Sequence, residues 1–152
     1  MVGPGIQITI DCRDPRVLVP FWCALLGYQP EEPPDGATSW LAYWRSLGIP
    51  PEELMGLDAD TVDSIVDPLG ARPRIWFQVV PEGKTVKNRV HLDIDVTNRR
   101  SLPLAERRLE VTAAVHSAVA MGARVLRTLE PEGADYYAVV MADPEGNEFC
   151  LS

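Results

Sequence analysis

Residues 143–149, Asp-Pro-Glu-Gly-Asn-Glu-Phe, determine how the second half of this chain is built. Asp, Pro and Gly are typical of tight turns, because Pro presets the backbone for a turn and Gly tolerates positive φ. Two stretches of strand-forming residues flank the turn, Tyr136 to Ala142 before it and Asn147 to Leu151 after it. The pattern predicts a β-hairpin.

The residues before the hairpin predict a strand, a helix and another strand. Along the first strand apolar and polar residues alternate, apolar at Val90, Leu92, Ile94 and Val96, polar at His91, Asp93 and Asp95. Strict alternation is typical of a half-buried strand with one polar face. A helix is predicted from about Leu104 to Met121, where Gly122 ends it, and a short strand follows from Arg124 to Leu129.

The first half of the chain begins with the same order of elements. The stretch Ile6–Ile10 alternates between isoleucine and polar residues and predicts a strand. Asp14 followed by Pro15 is a helix N-terminal signature, and Gly27 ends the helix that it starts. The two halves therefore look related.

The end of the first half is less regular. We predict strands over Ser39 to Trp44 and Arg74 to Val80, separated by an insert over residues 46–73. Glu52 to Met55 within the insert predicts a short acidic helix. The insert itself is interpreted as a surface excursion or a lid.

These elements predict an α+β fold with two tandem βαβββ modules. Module one covers about residues 5–81, including the insert, and module two covers about residues 87–152. We expect curved mixed sheets around a shared cleft, with the helices outside, so that the 152 residues form a single domain.

Composition restricts the partners and the compartment. Fourteen Lys and Arg against 22 Asp and Glu give a net charge of −8, which repels nucleic acids and anionic membrane surfaces. The three cysteines form no Cys-x-x-Cys pair, which argues against a disulfide framework and a structural zinc site. No apolar run is long enough to span a bilayer. We predict a cytoplasmic protein that binds neither nucleic acid nor membrane.

Several motifs together resemble the glyoxalase, bleomycin-resistance and extradiol-dioxygenase group, the vicinal-oxygen-chelate superfamily. The matching stretches are Gly5-Ile6-Gln7, Arg13-Asp14-Pro15, Phe21-Trp22, Leu26-Gly27-Tyr28, Lys87 to Asp93, Met121-Gly122-Ala123 and Asp143 to Phe149. The closing Asp-Pro-x-Gly-Asn-x-Phe pattern is the most specific of them. The stretch that links the two halves resembles uncharacterised bacterial glyoxalase-like proteins in particular.

The resemblance implies positions for metal ligands. Active members hold one divalent metal through side chains of the first, fourth, fifth and eighth strands. Gln7, His91 and Glu148 occupy the first, fifth and eighth positions. Trp76 stands where the fourth strand would supply a carboxylate, and Gln78 is the nearest alternative on the same face. The implied ligand set is therefore incomplete.

Three functions follow from these residues. In the first, which the tryptophan favours, the protein binds a small organic ligand without a cofactor or with a weakly held metal, in a cleft lined by Trp76, Gln78, Trp40, Tyr137 and His91. In the second, a divalent metal on Gln7, His91 and Glu148 supports a lyase, isomerase or dioxygenase reaction, with Glu148 as the proton shuttle. In the third, the insert contacts another protein.

Structural roles remain open for the same residues. His91 on a polar strand face also suits a simple hydrogen bond, Glu148 an exposed ion pair, and Trp76 a core position. Cys150 shares its strand face with Glu148, and we assign it no role because nothing in the sequence indicates a lowered thiol pKa. The resemblance also implies a homodimer.

Overall fold

The computed structural model describes residues 5–34, 36–50, 61–97 and 101–152. The chain divides into two compact units, Met1–Pro81 and Glu82–Ser152, each of which contains one four-stranded mixed sheet. The α+β class and the tandem βαβββ arrangement are thereby confirmed. No helix among the described residues is long and apolar enough to cross a membrane.

The first unit contains four strands and two helices in its described part. In chain order they are β1 (Gln7–Cys12), α1 (Pro15–Leu26), β2 (Gln29–Pro30), α2 (Trp40–Ser46), β3 (Ser64–Val66) and β4 (Arg74–Val79). The strand order in the sheet is β1-β4-β3-β2. Strand β1 pairs with β4 in parallel, and the other pairs are antiparallel. The core contains the fully buried side chains of Trp22, Ile65 and Phe77.

The second unit repeats this topology, with one α-helix among its described residues. Its elements are β5 (Leu92–Ile94), α3 (Leu104–Ala120), β6 (Arg124–Leu129), β7 (Ala138–Ala142) and β8 (Glu148–Leu151). The strand order is β5-β8-β7-β6, in which only β5 and β8 are parallel. Phe149, Leu151 and Met141 are fully buried. Because side chains alternate along a strand, these residues define the apolar face of the sheet.

The predicted signals at both ends of α1 are confirmed. The Asp14 carboxylate accepts a hydrogen bond from the Arg16 backbone N–H at 3.0 Å, which satisfies one of the free donors of the first turn. Gly27 ends the helix with a φ of 65°, in the left-handed region that glycine adopts without strain.

The predicted strand over Ser39 to Trp44 is wrong. Trp40 to Trp44 belong to helix α2, and Ser39 is its N-cap. The Ser39 hydroxyl accepts a hydrogen bond from the Ala42 backbone N–H at 3.1 Å and caps the helix. The aromatic residues favour strands in general, but here Trp40 and Trp44 lie one helical turn apart and their rings stack at 5.6 Å.

The third strand of the first unit lies inside the predicted insert. Ser64–Val66 pairs with both β2 and β4, so this part of residues 46–73 belongs to the sheet and is not a surface excursion. The turn that follows is held by Asp67, whose carboxylate accepts hydrogen bonds from the backbone N–H groups of Ala71 and Arg72 at 3.0 Å each. The helix predicted at Glu52 to Met55 lies outside the described residues.

The closing hairpin is confirmed, with strands shorter than predicted. Asp143 is fully buried, and its Oδ1 accepts hydrogen bonds from the backbone N–H groups of Glu145 at 3.0 Å and Asn147 at 2.9 Å. The strand predicted from Val90 to Val96 is shorter in the structure, where only Leu92–Ile94 pair with a neighbouring strand. The strand at Arg124–Leu129 has the predicted bounds.

Candidate functional site

The polar face of the second sheet brings together residues from β5 and β8. The parallel register places Asp93 opposite Cys150 and Leu92 opposite Phe149. Because Leu92 and Phe149 belong to the apolar face, Asp93 and Cys150 share the opposite face. Val140 of β7 is the other register neighbour of Cys150.

Three side chains converge on this face. One nitrogen of His91, one carboxylate oxygen of Asp93 and the thiol of Cys150 all lie within 4.8 Å of one another. His91 Nε2 and Asp93 Oδ1 lie 3.4 Å apart. Cys150 is buried, whereas His91 and Asp93 are exposed. The sequence indicated His91 as a candidate ligand, but not its grouping with Asp93 and Cys150. The alternation of residues along the two strands places Asp93 and Cys150 on polar faces, but it does not show that these faces meet.

The thiol of Cys150 is held in its protonated form. Burial is the main effect that raises its pKa, and the charge of Asp93 and a hydrogen bond with it act in the same direction. The positive charges of Arg127 and Lys87 act in the opposite direction. Cys150 is therefore a weak nucleophile at neutral pH.

Glu148, the predicted eighth-strand ligand, forms ion pairs with two lysines. Its Oε2 accepts a hydrogen bond from Lys87 Nζ, and Lys84 Nζ lies 4.0 Å from its Oε1. The hydrogen bond from Lys87 is the main effect that holds the pKa of the Glu148 carboxyl below its usual value. A metal ion at Glu148 would have to displace Lys87.

Gln7, the predicted first-strand ligand, accepts a hydrogen bond from a cationic side chain of its own unit. Gln7 Oε1 accepts a hydrogen bond from Arg74 Nη1 at 2.6 Å. Arg74 also donates through Nε to Glu31 Oε2 at 2.7 Å, so the guanidinium is fixed in place. These contacts, like the lysines at Glu148, do not fit a metal ion held by Gln7 and Glu148.

Trp76, at the fourth-strand position, is half-buried on β4. Its indole N–H donates a hydrogen bond to Asp63 Oδ2 at 2.8 Å, and an indole offers no metal-binding atom. Gln78, two residues further on the same strand face, is exposed. Trp40 of α2 donates its indole N–H to the Glu31 carbonyl at 3.1 Å. Trp76 and Trp40 both lie in the first unit.

Tyr137, another predicted ligand-binding residue, lies in the wall of a cavity of about 580 Å³ in the second unit. The residues of the wall that carry charges or rings are Asp93, Asp95, Arg107, Asp135, Tyr136 and Tyr137. The described residues of the wall thus include three carboxylates and one guanidinium. Asp93 belongs both to this wall and to the group with His91 and Cys150.

The Arg107 guanidinium of this wall is already paired. Arg107 is buried, and its Nη2 donates a hydrogen bond to Asp135 Oδ1 while its Nε donates to the Leu102 carbonyl at 3.0 Å. Asp95, at the end of β5, accepts hydrogen bonds from the backbone N–H and the hydroxyl of Thr97 at 3.1 and 3.3 Å. Asp93, Asp95 and Asp135 thus make the described part of the wall mainly acidic.

Two βαβββ units with this strand order define a glyoxalase-type fold. The sequence model of the glyoxalase-like domain matches residues 7–152. The chain therefore belongs to the glyoxalase-like domain family, and the resemblance found in its sequence motifs is confirmed. No curated protein matches the sequence significantly.

Solved structures agree on the fold. A glyoxalase/bleomycin resistance protein/dioxygenase family enzyme from Burkholderia phytofirmans PsJN has 18% identity and a TM-score of 0.57, with 95% of this chain and 94% of that chain covered. The fosfomycin resistance protein FosX from Mesorhizobium loti has 8% identity and a TM-score of 0.56, with 99% and 92% covered.

A third similar structure contains a metal. FosX from Listeria monocytogenes, in complex with manganese(II) and dihydroxypropylphosphonic acid, has 11% identity and a TM-score of 0.55, with 99% of this chain and 90% of that chain covered. At such identities the likeness concerns the fold alone, because this fold carries many activities.

Proposed function

We propose that this glyoxalase-like protein binds a small organic cation with a flat ring, in the cavity of the second unit. The observation that carries the proposal is the wall of that cavity, whose described residues include three carboxylates and one guanidinium, which is paired with Asp135. Acidic groups attract a cation, and this attraction is stronger in a partly enclosed space than in open water.

The tyrosines of the cavity favour a flat ligand. Tyr136 and Tyr137 lie side by side in the chain and both line the wall. Aromatic rings bind flat rings by stacking and attract cations through the electron-rich ring face. The Arg108 guanidinium already lies over the Tyr137 ring, 5.6 Å from its centroid, so a ligand would use the opposite face of that ring. A volume of about 580 Å³ is of the size that small-molecule sites use.

Three probes of similar shape and different charge test this proposal. N-methylquinolinium, neutral quinoline and quinoline-3-carboxylate share one ring system and differ in charge at pH 8. Titration calorimetry of the full chain should show binding in the order cation, neutral, anion. Equal binding of all three, or a preference for the carboxylate, would contradict the proposal.

Two substitutions locate the bound probe. Asp95→Asn should weaken cation binding by about tenfold and leave quinoline binding unchanged, because it removes one wall charge. Tyr137→Leu should weaken binding of both probes. Glu110→Gln, which removes one exposed charge from α3 outside the wall, is the matched control. An effect of Glu110→Gln as large as that of Asp95→Asn would indicate general attraction to an acidic protein.

The metal-dependent lyase, isomerase or dioxygenase stays the alternative. It requires Lys87 to release Glu148 and Arg74 to release Gln7. The homodimer and the cytoplasmic location also stay predictions, and sedimentation of the purified chain tests the homodimer.

A further inference from the structure

We propose that His91, Asp93 and Cys150 form a binding site for a divalent transition metal, with zinc as the best match. Two of its residues, Asp93 and Cys150, are register partners in β5 and β8, and Cys150 lies two residues after Glu148 in the chain. It does not rest on the proposed binding of an organic cation.

The first support is geometric. Given zinc–ligand bonds of about 2.0–2.3 Å, the ligand atoms of a tetrahedral site lie about 3.3–3.8 Å apart. His91 Nε2 and Asp93 Oδ1 already have this separation, at 3.4 Å, and the whole group lies within 4.8 Å. The exposed His91 and Asp93 side chains can rotate to close the remaining gap, while the buried Cys150 stays in place.

The second support is the chemistry of the three donors. Imidazole and thiolate are ligands that zinc and cobalt(II) prefer, whereas magnesium and manganese prefer carboxylate and carbonyl oxygens. On binding, the Cys150 thiol loses its proton to solvent and the sulfur donates an electron pair to the metal, with no change of oxidation state. The missing Cys-x-x-Cys pair argues against a closed structural site, but a site with three protein ligands needs no such pair.

The third support is the relation of this group to its surroundings. Asp93 is also part of the cavity wall, so the fourth coordination position of the metal can open toward the cavity. Glu148, on the same strand face, accepts a hydrogen bond from Lys87, whereas Lys87 and Arg127 act on Cys150 through their charges and not through a hydrogen bond. An incoming cation meets less competition there than at Glu148.

Cobalt(II) provides the test, because a thiolate bound to cobalt gives a near-ultraviolet charge-transfer band that oxygen and nitrogen ligands do not give. The full chain, purified without a polyhistidine tag and stripped of metal, should develop this band with one equivalent of cobalt(II). One equivalent of zinc should then remove it. If no band develops, or if only a large excess of cobalt(II) produces it, the proposal is wrong.

Substitutions assign the ligands. Cys150→Ser should abolish the band, whereas Cys23→Ser, a change at a half-buried cysteine of α1, should leave it intact. His91→Gln and Asp93→Asn should weaken cobalt affinity by more than the roughly 10–100-fold that loss of an outer-shell partner costs. Both residues are exposed, so these variants keep the test valid even if Cys150→Ser fails to fold.

Two further variants separate this site from other sites and from the organic ligand. Glu148→Gln should leave the charge-transfer band intact, and loss of the band in this variant would overturn the proposed ligand set. Tyr137→Leu should reduce probe binding without any effect on cobalt affinity. Failure of the metal site and failure of the cation site are therefore distinguishable.

Discussion

Glu148, the first residue of β8, and Lys87 form an ion pair, although they lie 61 residues apart in the chain. The residue that the family resemblance marks as a metal ligand thus has an internal cation as its partner. The pair also ties the segment before β5 to β8. Its first measurable consequence is the acidity of Glu148.

Removal of Lys87 should raise the pKa of Glu148. The hydrogen bond from Lys87 is the main effect that lowers this pKa, and Lys84 is the more distant cation. Lys87→Gln should therefore shift the titration of the Glu148 carboxyl to higher pH, as measured by carboxyl carbon NMR. Arg89→Gln removes an exposed charge close by and should leave the titration unchanged. An unaltered Glu148 pKa in Lys87→Gln would show that the pair does not form in solution.

Asp67 should make the first unit sensitive to acid. The hydrogen bond from Arg72, at 2.9 Å, is the main cause that lowers the pKa of Asp67 to about 2, against the opposing effect of burial. Because the folded pKa lies below the unfolded value of about 3.9, the stabilisation is complete above that range and is lost as pH falls toward 2. Asp67→Asn should unfold at lower urea concentration than the parent at pH 7, and the difference should shrink at pH 2.5.

A matched variant checks this interpretation. Glu32→Gln removes an exposed carboxylate of the same unit and should not change the pH dependence of the urea midpoint. If the difference between Asp67→Asn and the parent stays constant between pH 7 and 2.5, the Arg72 contact contributes nothing to folding.

Phe149 should be essential to the core of the second unit. Its side chain is fully buried on β8, and truncation to alanine leaves a cavity that β7 and β5 cannot fill. Phe149→Ala should lower the free energy of unfolding by about 3–5 kcal/mol in urea. Leu109→Ala, at a position that is 72% exposed on α3, should change it by less than about 0.5 kcal/mol. Equal effects would show that Phe149 is not packed as described.

Gly27 should resist substitution because of its backbone conformation alone. Its φ is 65°, and a β-carbon added there would meet no atom within 4 Å. Gly27→Ala should therefore cost about 1–2 kcal/mol through left-handed strain, measured by thermal unfolding. Gly83→Ala provides the control, because its surroundings are equally open and its φ is outside the left-handed region. A loss for Gly83→Ala as large as for Gly27→Ala would point to a cause other than φ.

Elements governed by local rules could be predicted from the sequence. The Asp14 cap and Gly27 fix both ends of α1, and the Asp143 turn fixes the closing hairpin. These signals succeed because the residues that make the contacts are close in sequence. The short strand β3 has no such signal, since three residues carry no clear period and its pairing depends on β2 and β4.

The candidate site was less predictable, because its contacts join distant segments. The sequence gives His91 and Glu148 their strand faces, but it cannot show that Lys87 reaches Glu148. The neighbourhood of Asp93 and Cys150 depends on the register of two parallel strands. Helix α2 was mispredicted for a local reason. The strand preference of Trp40 and Trp44 led to a predicted strand, although Ser39 is a suitable helix cap.

The parallel pair in each sheet has a consequence for the time course of folding. Gln7 and Arg74, register partners in β1 and β4, are 67 residues apart. Contacts between residues so far apart slow folding, because the chain between them must be ordered before the pairing stabilises it. During synthesis, β1 leaves the ribosome long before its partner exists. Until β4 follows, the edge of β1 that β4 will cover is open to incorrect pairing. The same holds for the edge of β5 that β8 will cover.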